Sequence, residues 1–268
     1  MPATSNRGPR RSTPHQRGTE AARHVRAAWG NKDLPISGLF EEIQNREGIA
    51  VVRRPLDVDI DGAIFHADAE QDGEASVMII NTHERGLGKQ HATAAHELGH
   101  HMEDGHRDFA ELIEERGVGE GFAEGFATEL LMPEAGVREW MGKSVDSAAE
   151  PKHIAQLAAY FRASYEMAAI RLETLGLITK KRKEELRSHA GRRAAYEGGV
   201  EEWYDRNIAA INVFELPPSY LSAARSAYAQ QLISIDRLAE LEFQPVEEVR
   251  KRLKEQGLLL GEDEEGSG

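Results

Sequence analysis

No cysteine occurs among the 268 residues, which excludes disulfides, thiolate metal ligands and a thiol nucleophile. Any metal must therefore sit on His, Asp or Glu. Long apolar runs are also missing: none approaches the roughly 20 residues of a membrane span. The N-terminal stretch MPATSNRGPRRSTPHQRG lacks the apolar centre of a signal peptide. A cytoplasmic protein with no membrane partner is the expectation. Positive charge is scarce as well. Thirty-three Lys/Arg face 46 Asp/Glu, a net charge of −13, which opposes a surface devoted to nucleic acid. The shortage is uneven: residues 35–148 carry 9 Lys/Arg against 24 Asp/Glu, whereas residues 151–190 carry 8 against 4. An acidic region thus precedes a mildly basic one.

Residues 1–19 are rich in Arg, Pro, Ser and Gly, with almost nothing to bury, and read as a disordered basic tail. Helices are expected over Glu20–Trp29 and Gly38–Arg46, the latter stopped by Gly48. The period then changes to that of short strands, Ile49–Val52, Ala63–His66 and Ser76–Ile80, with Asp72-Gly73 as the turn between the last two. Helical character returns over Lys89–Met102 and Glu120–Leu131. These elements predict an α+β fold, with residues 20–148 forming a small domain around a short, mainly antiparallel sheet. Residues 149–190 read as a helix-turn-helix-like pair, Ile154–Arg162 and Ser164–Leu175, closed by Gly176. Residues 191–260 form a further helical region, and 261–268 an acidic disordered tail. Ile154–Ile178 and Ile235–Leu259 align without a gap at an offset of 81 residues, with eight identities in 25 positions, Arg171/Arg252, Leu172/Leu253 and Gly176/Gly257 among them. A repeated helical unit is the reading.

The chemistry is concentrated in HATAAHELGHHMEDGH. Each helical residue turns about 100°, so His96 and His100 fall on one face, one turn apart, and their imidazoles can converge on one ion. Glu97 lies about 100° round from His96, beside the ion and free to act as general base. Two His and one carboxylate on zinc leave a fourth position open to water, as hydrolysis requires. Two residues compete to be the third ligand. His106 has the metzincin spacing, but Glu103 stands where that motif needs Gly. Glu120 begins a helix with Glu124 one turn on, so one carboxylate could bind the metal while the other orients a ligand histidine. Glu120 is preferred. For the group that stabilises the oxyanion, His101, His106, His153, Tyr160 and Tyr165 stand as candidates.

HELGH at 96–100 and EGFAEGFATELLMP at 120–133 resemble the ImmA/IrrE family of metallopeptidases, whose corresponding segment reads E-x-x-A-N-x-F-A-x-x-L-L-M-P. The strand ending Ile79-Ile80-Asn81 is also similar, as are the LAxxF and RLxxLGLI elements within Ile154–Ile178. The resemblance implies a zincin-like, gluzincin-type site with Glu120 as third ligand. It also implies an endopeptidase that cleaves a helix-turn-helix repressor and so switches on a phage, mobile-element or stress operon. Two positions depart from the family: Glu124 replaces Asn or Asp, and His91-Ala92-Thr93 replaces Arg-Phe-Thr. The competing functions are a DNA-binding regulator using Lys180-Lys181-Arg182-Lys183, or a toxin-antitoxin component, in either case with a structural zinc site.

Overall fold

A computed structural model describes residues 12–57, 59–69, 73–104, 119–144 and 148–259. Its chain divides into two compact units, 1–214 and 215–268.

The first unit begins earlier than composition implies. Helix α1 spans Pro14–Ala28, with Thr13 and Gln16 forming a capping box and Pro at its start. Residues 14–19, expected within the tail, are therefore helical. They are held by backbone proximity instead of by apolar side chains. A Cβ on Gly18 would lie 2.0 Å from the Phe122 carbonyl oxygen, and one on Gly125 2.2 Å from that of His15. Glycines let α1 pack directly against the helix Glu120–Leu131, here α4. The buried Arg26 adds three donors, to the carbonyls of Lys32, Leu34 and Leu130.

Helix α2 (Leu39–Glu47) ends at Gly48, in the left-handed region at φ 70°. Strands β1 (Ile49–Arg54), β2 (Gly62–Ala69) and β3 (Gly73–Asn81) follow. The sheet order is β1-β3-β2, with β2 antiparallel to β3 as a hairpin and β1 parallel to β3, so the sheet is mixed. Asp72 of the expected turn lies outside the described residues. Alternation puts Ile49 and Val51 of β1 and Met78 and Ile80 of β3 in the core. They share it with Ala94, Ala95 and Leu98 of α3 (Leu87–Asp104), which packs against β2 and β3.

Helices α5 (Glu134–Ser144), α6 (Pro151–Phe161), α7 (Tyr165–Thr174) and α8 (Lys180–Arg187) complete this core. One cluster runs from Ala22 to Leu186. The helix pair α6–α7 is thus integral to the first unit instead of following it as a separate segment. Its boundary with the rest is sealed by charge: buried Glu129 of α4 pairs with Arg171 of α7, whose Nε also donates to the Met132 carbonyl at 2.8 Å, and Arg23 of α1 reaches the same carboxylate at 2.9 Å. Removing Arg171 leaves the buried Glu129 with only the half-exposed Arg23 as counter-charge and the Met132 carbonyl without its donor, so Arg171→Ala should lower unfolding free energy by about 3 kcal/mol. Urea denaturation reads this directly, and a loss below 1 kcal/mol would contradict it.

The unit also extends further than expected. Helices α9 (Arg192–Gly198) and α10 (Glu201–Ala209) belong to it. Gly88 N donates to Asn207 Oδ1 at 2.8 Å, Asn212 N to the Thr82 carbonyl at 2.8 Å, and Gln90 Nε2 to the Ala210 carbonyl at 2.8 Å. Residues 207–213 therefore brace the loop that enters α3. The boundary consequently falls after 214 instead of after 190, because these contacts are backbone and amide hydrogen bonds that leave no hydrophobic period in the sequence.

The second unit contains α11 (Pro218–Ala229), α12 (Ile235–Glu242) and α13 (Val246–Glu255) around Ala224, Tyr228, Leu238, Val249 and Leu253. The offset of 81 recurs in its conformation. The caps Arg162 and Phe243 both have φ 55°, Gly176 and Gly257 have φ 69° and 67°, and α7 and α13 share length and bounds at that offset. Arg252, aligned with Arg171, likewise meets a buried carboxylate, Glu242, joined there by Arg225.

Candidate metal centre

His96 and His100 project from one face of α3 toward Glu120, the first residue of α4. Their Nε2 atoms are 3.1 Å apart, and Glu120 lies 3.2 Å from His96 Nε2 and 3.5 Å from His100 Nε2 through its two oxygens. The rings meet nearly edge-on, at 81°. Among the described residues these three form a group able to hold a metal ion. Zinc bonds of about 2.0–2.1 Å in a tetrahedron place neighbouring donors about 3.3–3.4 Å apart. The separation of the two nitrogens lies near that edge length and each nitrogen has one of the two Glu120 oxygens within 3.5 Å, so the donor set is compatible with zinc in chemistry and spacing. Two aprotic nitrogens at 3.1 Å would otherwise repel, and an ion-free pair must share a proton. Burial and the neighbouring His100 both lower the His96 pKa, which favours the neutral, ligating form.

Glu97 sits one residue round the helix from His96 and is half-buried. A Cβ on Gly62 would be 2.6 Å from Thr93 Cγ2 and 3.4 Å from Glu97 Cγ, so the absence of a side chain at the start of β2 lets the strand pass close over this carboxylate. Burial above all, then the charges of Glu120 and Asp61, push the Glu97 pKa up to about 7. Asp61 had no signature in the sequence. It acts through its place just before β2, where it also pairs with Arg85 at 2.5 Å and Lys89 at 3.1 Å.

The other candidates separate. Glu124 is one turn along α4, exposed, and near enough for its charge to act on His96. His106 lies outside the described residues. His101 stacks on His66 of β2, with ring centroids 5.1 Å apart. His153 accepts from Glu150 N at the start of α6, and the Tyr165 hydroxyl donates to the Leu186 carbonyl, so both are engaged structurally. Tyr160 packs edge-on against Phe161.

Among the described residues β2 is an edge of the sheet. Asn81 N donates to the Asp61 carbonyl at 2.8 Å, which sets the phase of the hairpin. Opposed pairs alternate between bonded and non-bonded, so Gly62, Ile64 and His66 turn their backbone groups to the open edge. The edge therefore runs alongside Thr93, Glu97 and His101 of α3.

No helix among the described residues is long and apolar enough to cross a membrane. No curated protein matches the chain. Residues 44–173, which include the helices that bear His96, His100 and Glu120 and most of the helix pair after them, match the model of the peptidase M78 family, described as the IrrE N-terminal-like domain.

Proposed function

We propose that the protein is a zinc-dependent endopeptidase that cuts a protein partner, a helix-turn-helix transcriptional repressor, and thereby derepresses a phage, mobile-element or stress operon. The observation that carries the hydrolytic reading is the spacing of His96, His100 and Glu120 at 3.1–3.5 Å with Glu97 beside them. Bound zinc supplies an acidified water and polarises the scissile carbonyl. Glu97 takes the proton of the attacking water and delivers it to the leaving amine. His96, His100 and Glu120 hold the metal, and Gly62 with Thr93 confines the Glu97 side chain.

The substrate is held as an added strand. The open backbone groups of Gly62, Ile64 and His66 pair with an extended segment of the partner, which brings one of its peptide bonds past Glu97. Side-chain selectivity is then modest, and partner choice rests on charge. Nine Lys/Arg against 24 Asp/Glu over residues 35–148 attract a basic protein at long range, and a DNA-binding repressor is one. Support for a protein partner over direct DNA binding comes from the basic run in α8. Lys183 pairs with Glu173 at 2.7 Å and Arg182 donates to the Ala149 carbonyl at 2.7 Å. The first turn of α13 is acidic, with Glu247 and Glu248.

Because the outward N–H of Ile64 is part of the docking edge, Ile64→Pro should slow cleavage while the hairpin bonds to β3 persist. Cleavage should also slow as salt rises. Timed gel assays on the identified substrate, with circular dichroism confirming the fold, test both. Unchanged cleavage by a folded Ile64→Pro protein rules out this edge.

A further inference from the structure

A histidine that ligates through Nε2 keeps its ring proton on Nδ1, and an acceptor for that proton fixes the ring's orientation and tautomer. The family position for such a partner is occupied here by Glu124, which is exposed. A different carboxylate shares the helix of His100. Glu103 follows it by three residues on α3, about 60° round, and so remains on the stripe that faces the metal. Helical side chains lean toward the N-terminus, which carries the Glu103 carboxylate back over His100.

Two features hold it there. Arg17 Nη2, from α1, lies 3.4 Å from Glu103 Oε1. The second oxygen, Oε2, is buried and has no hydrogen-bond partner among the described residues. Gly119, at φ 114°, makes room: a Cβ there would be 2.7 Å from Glu103 Oε2 and 3.7 Å from His100 Nδ1, so both atoms border one small space. A buried carboxylate oxygen without a donor is costly, and it borders the ring nitrogen that must carry a proton once metal binds.

We propose that Glu103 is a positioning residue that accepts the His100 Nδ1–H in the metal-loaded protein, with Arg17 holding the carboxylate in place. This rests on the zinc reading above. It gives α1 a part in the metal site that composition concealed.

The test uses the full chain and zinc alone, with Glu103→Ala, Glu103→Gln and Arg17→Ala. Zinc affinity is measured by chelator competition, and the His100 ring by long-range proton–nitrogen NMR of the zinc-loaded protein. Glu103→Ala should weaken zinc binding about 10- to 100-fold and move the His100 Nδ1–H resonance while leaving that of His96 in place. Glu103→Gln, which keeps a neutral oxygen acceptor, should recover part of the affinity, and Arg17→Ala should lose less than Glu103→Ala. If Glu103→Ala fails to fold, the other two variants decide. Wild-type affinity in the folded Glu103 variants, or weakened binding with an unmoved His100 resonance, overturns the assignment while leaving the zinc reading standing. A wild-type protein that binds no zinc overturns both.

Discussion

Replacing Glu97 by glutamine is expected to leave zinc and fold in place and to lower peptide hydrolysis by roughly two orders of magnitude or more. The substitution is nearly isosteric and touches none of the proposed metal donors, His96, His100 and Glu120. What it removes is a proton carrier. Burial pushes the Glu97 pKa up to about 7, and a dication at the neighbouring donors would draw it down again by direct attraction. The carboxylate is then ionised at neutral pH yet basic enough to take a proton. Glutamine cannot take a proton and return it. Turnover of a cleaved partner, measured beside zinc content, checks this. Undiminished cleavage by the Glu97→Gln protein at full zinc occupancy eliminates the proposed mechanism.

Loss of a donor should act differently. The purified chain is expected to carry about one zinc, and His96→Ala, His100→Ala and Glu120→Ala should each abolish its retention and all cleavage with it. Three donors share the binding, and any two of them, next to an exposed opening, leave the ion weakly held. Glu120 is the most exposed of the three, with half its side chain open to solvent, so it is the most demanding case. His106→Ala should keep its zinc. Elemental analysis after gel filtration separates these outcomes, and full occupancy in Glu120→Ala with loss in His106→Ala would reverse the choice of third ligand.

The approach of His96 and His100 was legible because helical geometry fixes how HELGH is arranged: residues four apart share a face whatever the surroundings. The helix that Glu120 opens was legible and spans Glu120–Leu131 in the structure as in the sequence reading. The strands were found by their period, though β2 and β3 run further than their apolar cores. What escaped has a common physical cause. α1 is bound through Gly18 and Gly125, where backbone meets backbone and hydrophobicity leaves no trace. Residues 207–213 are joined to the first unit by amides and carbonyls. Glu129 with Arg171, and Arg26 with its three carbonyls, are charges that composition assigns to the surface but that packing encloses. Gly18 in α1 and the spaced glycines of EGFAEG, Gly121 and Gly125, were the available signal for the first of these.

The most direct test is cleavage of the helix-turn-helix repressor encoded nearest to this protein's own gene, with products mapped by mass spectrometry. The purified chain is compared zinc-loaded, after chelation, and after zinc is restored. Cutting at a single site in an extended linker in the first and third conditions, and none in the second, is the result the account predicts. Cleavage that survives zinc removal, or a fully zinc-loaded protein that cuts nothing, would contradict it.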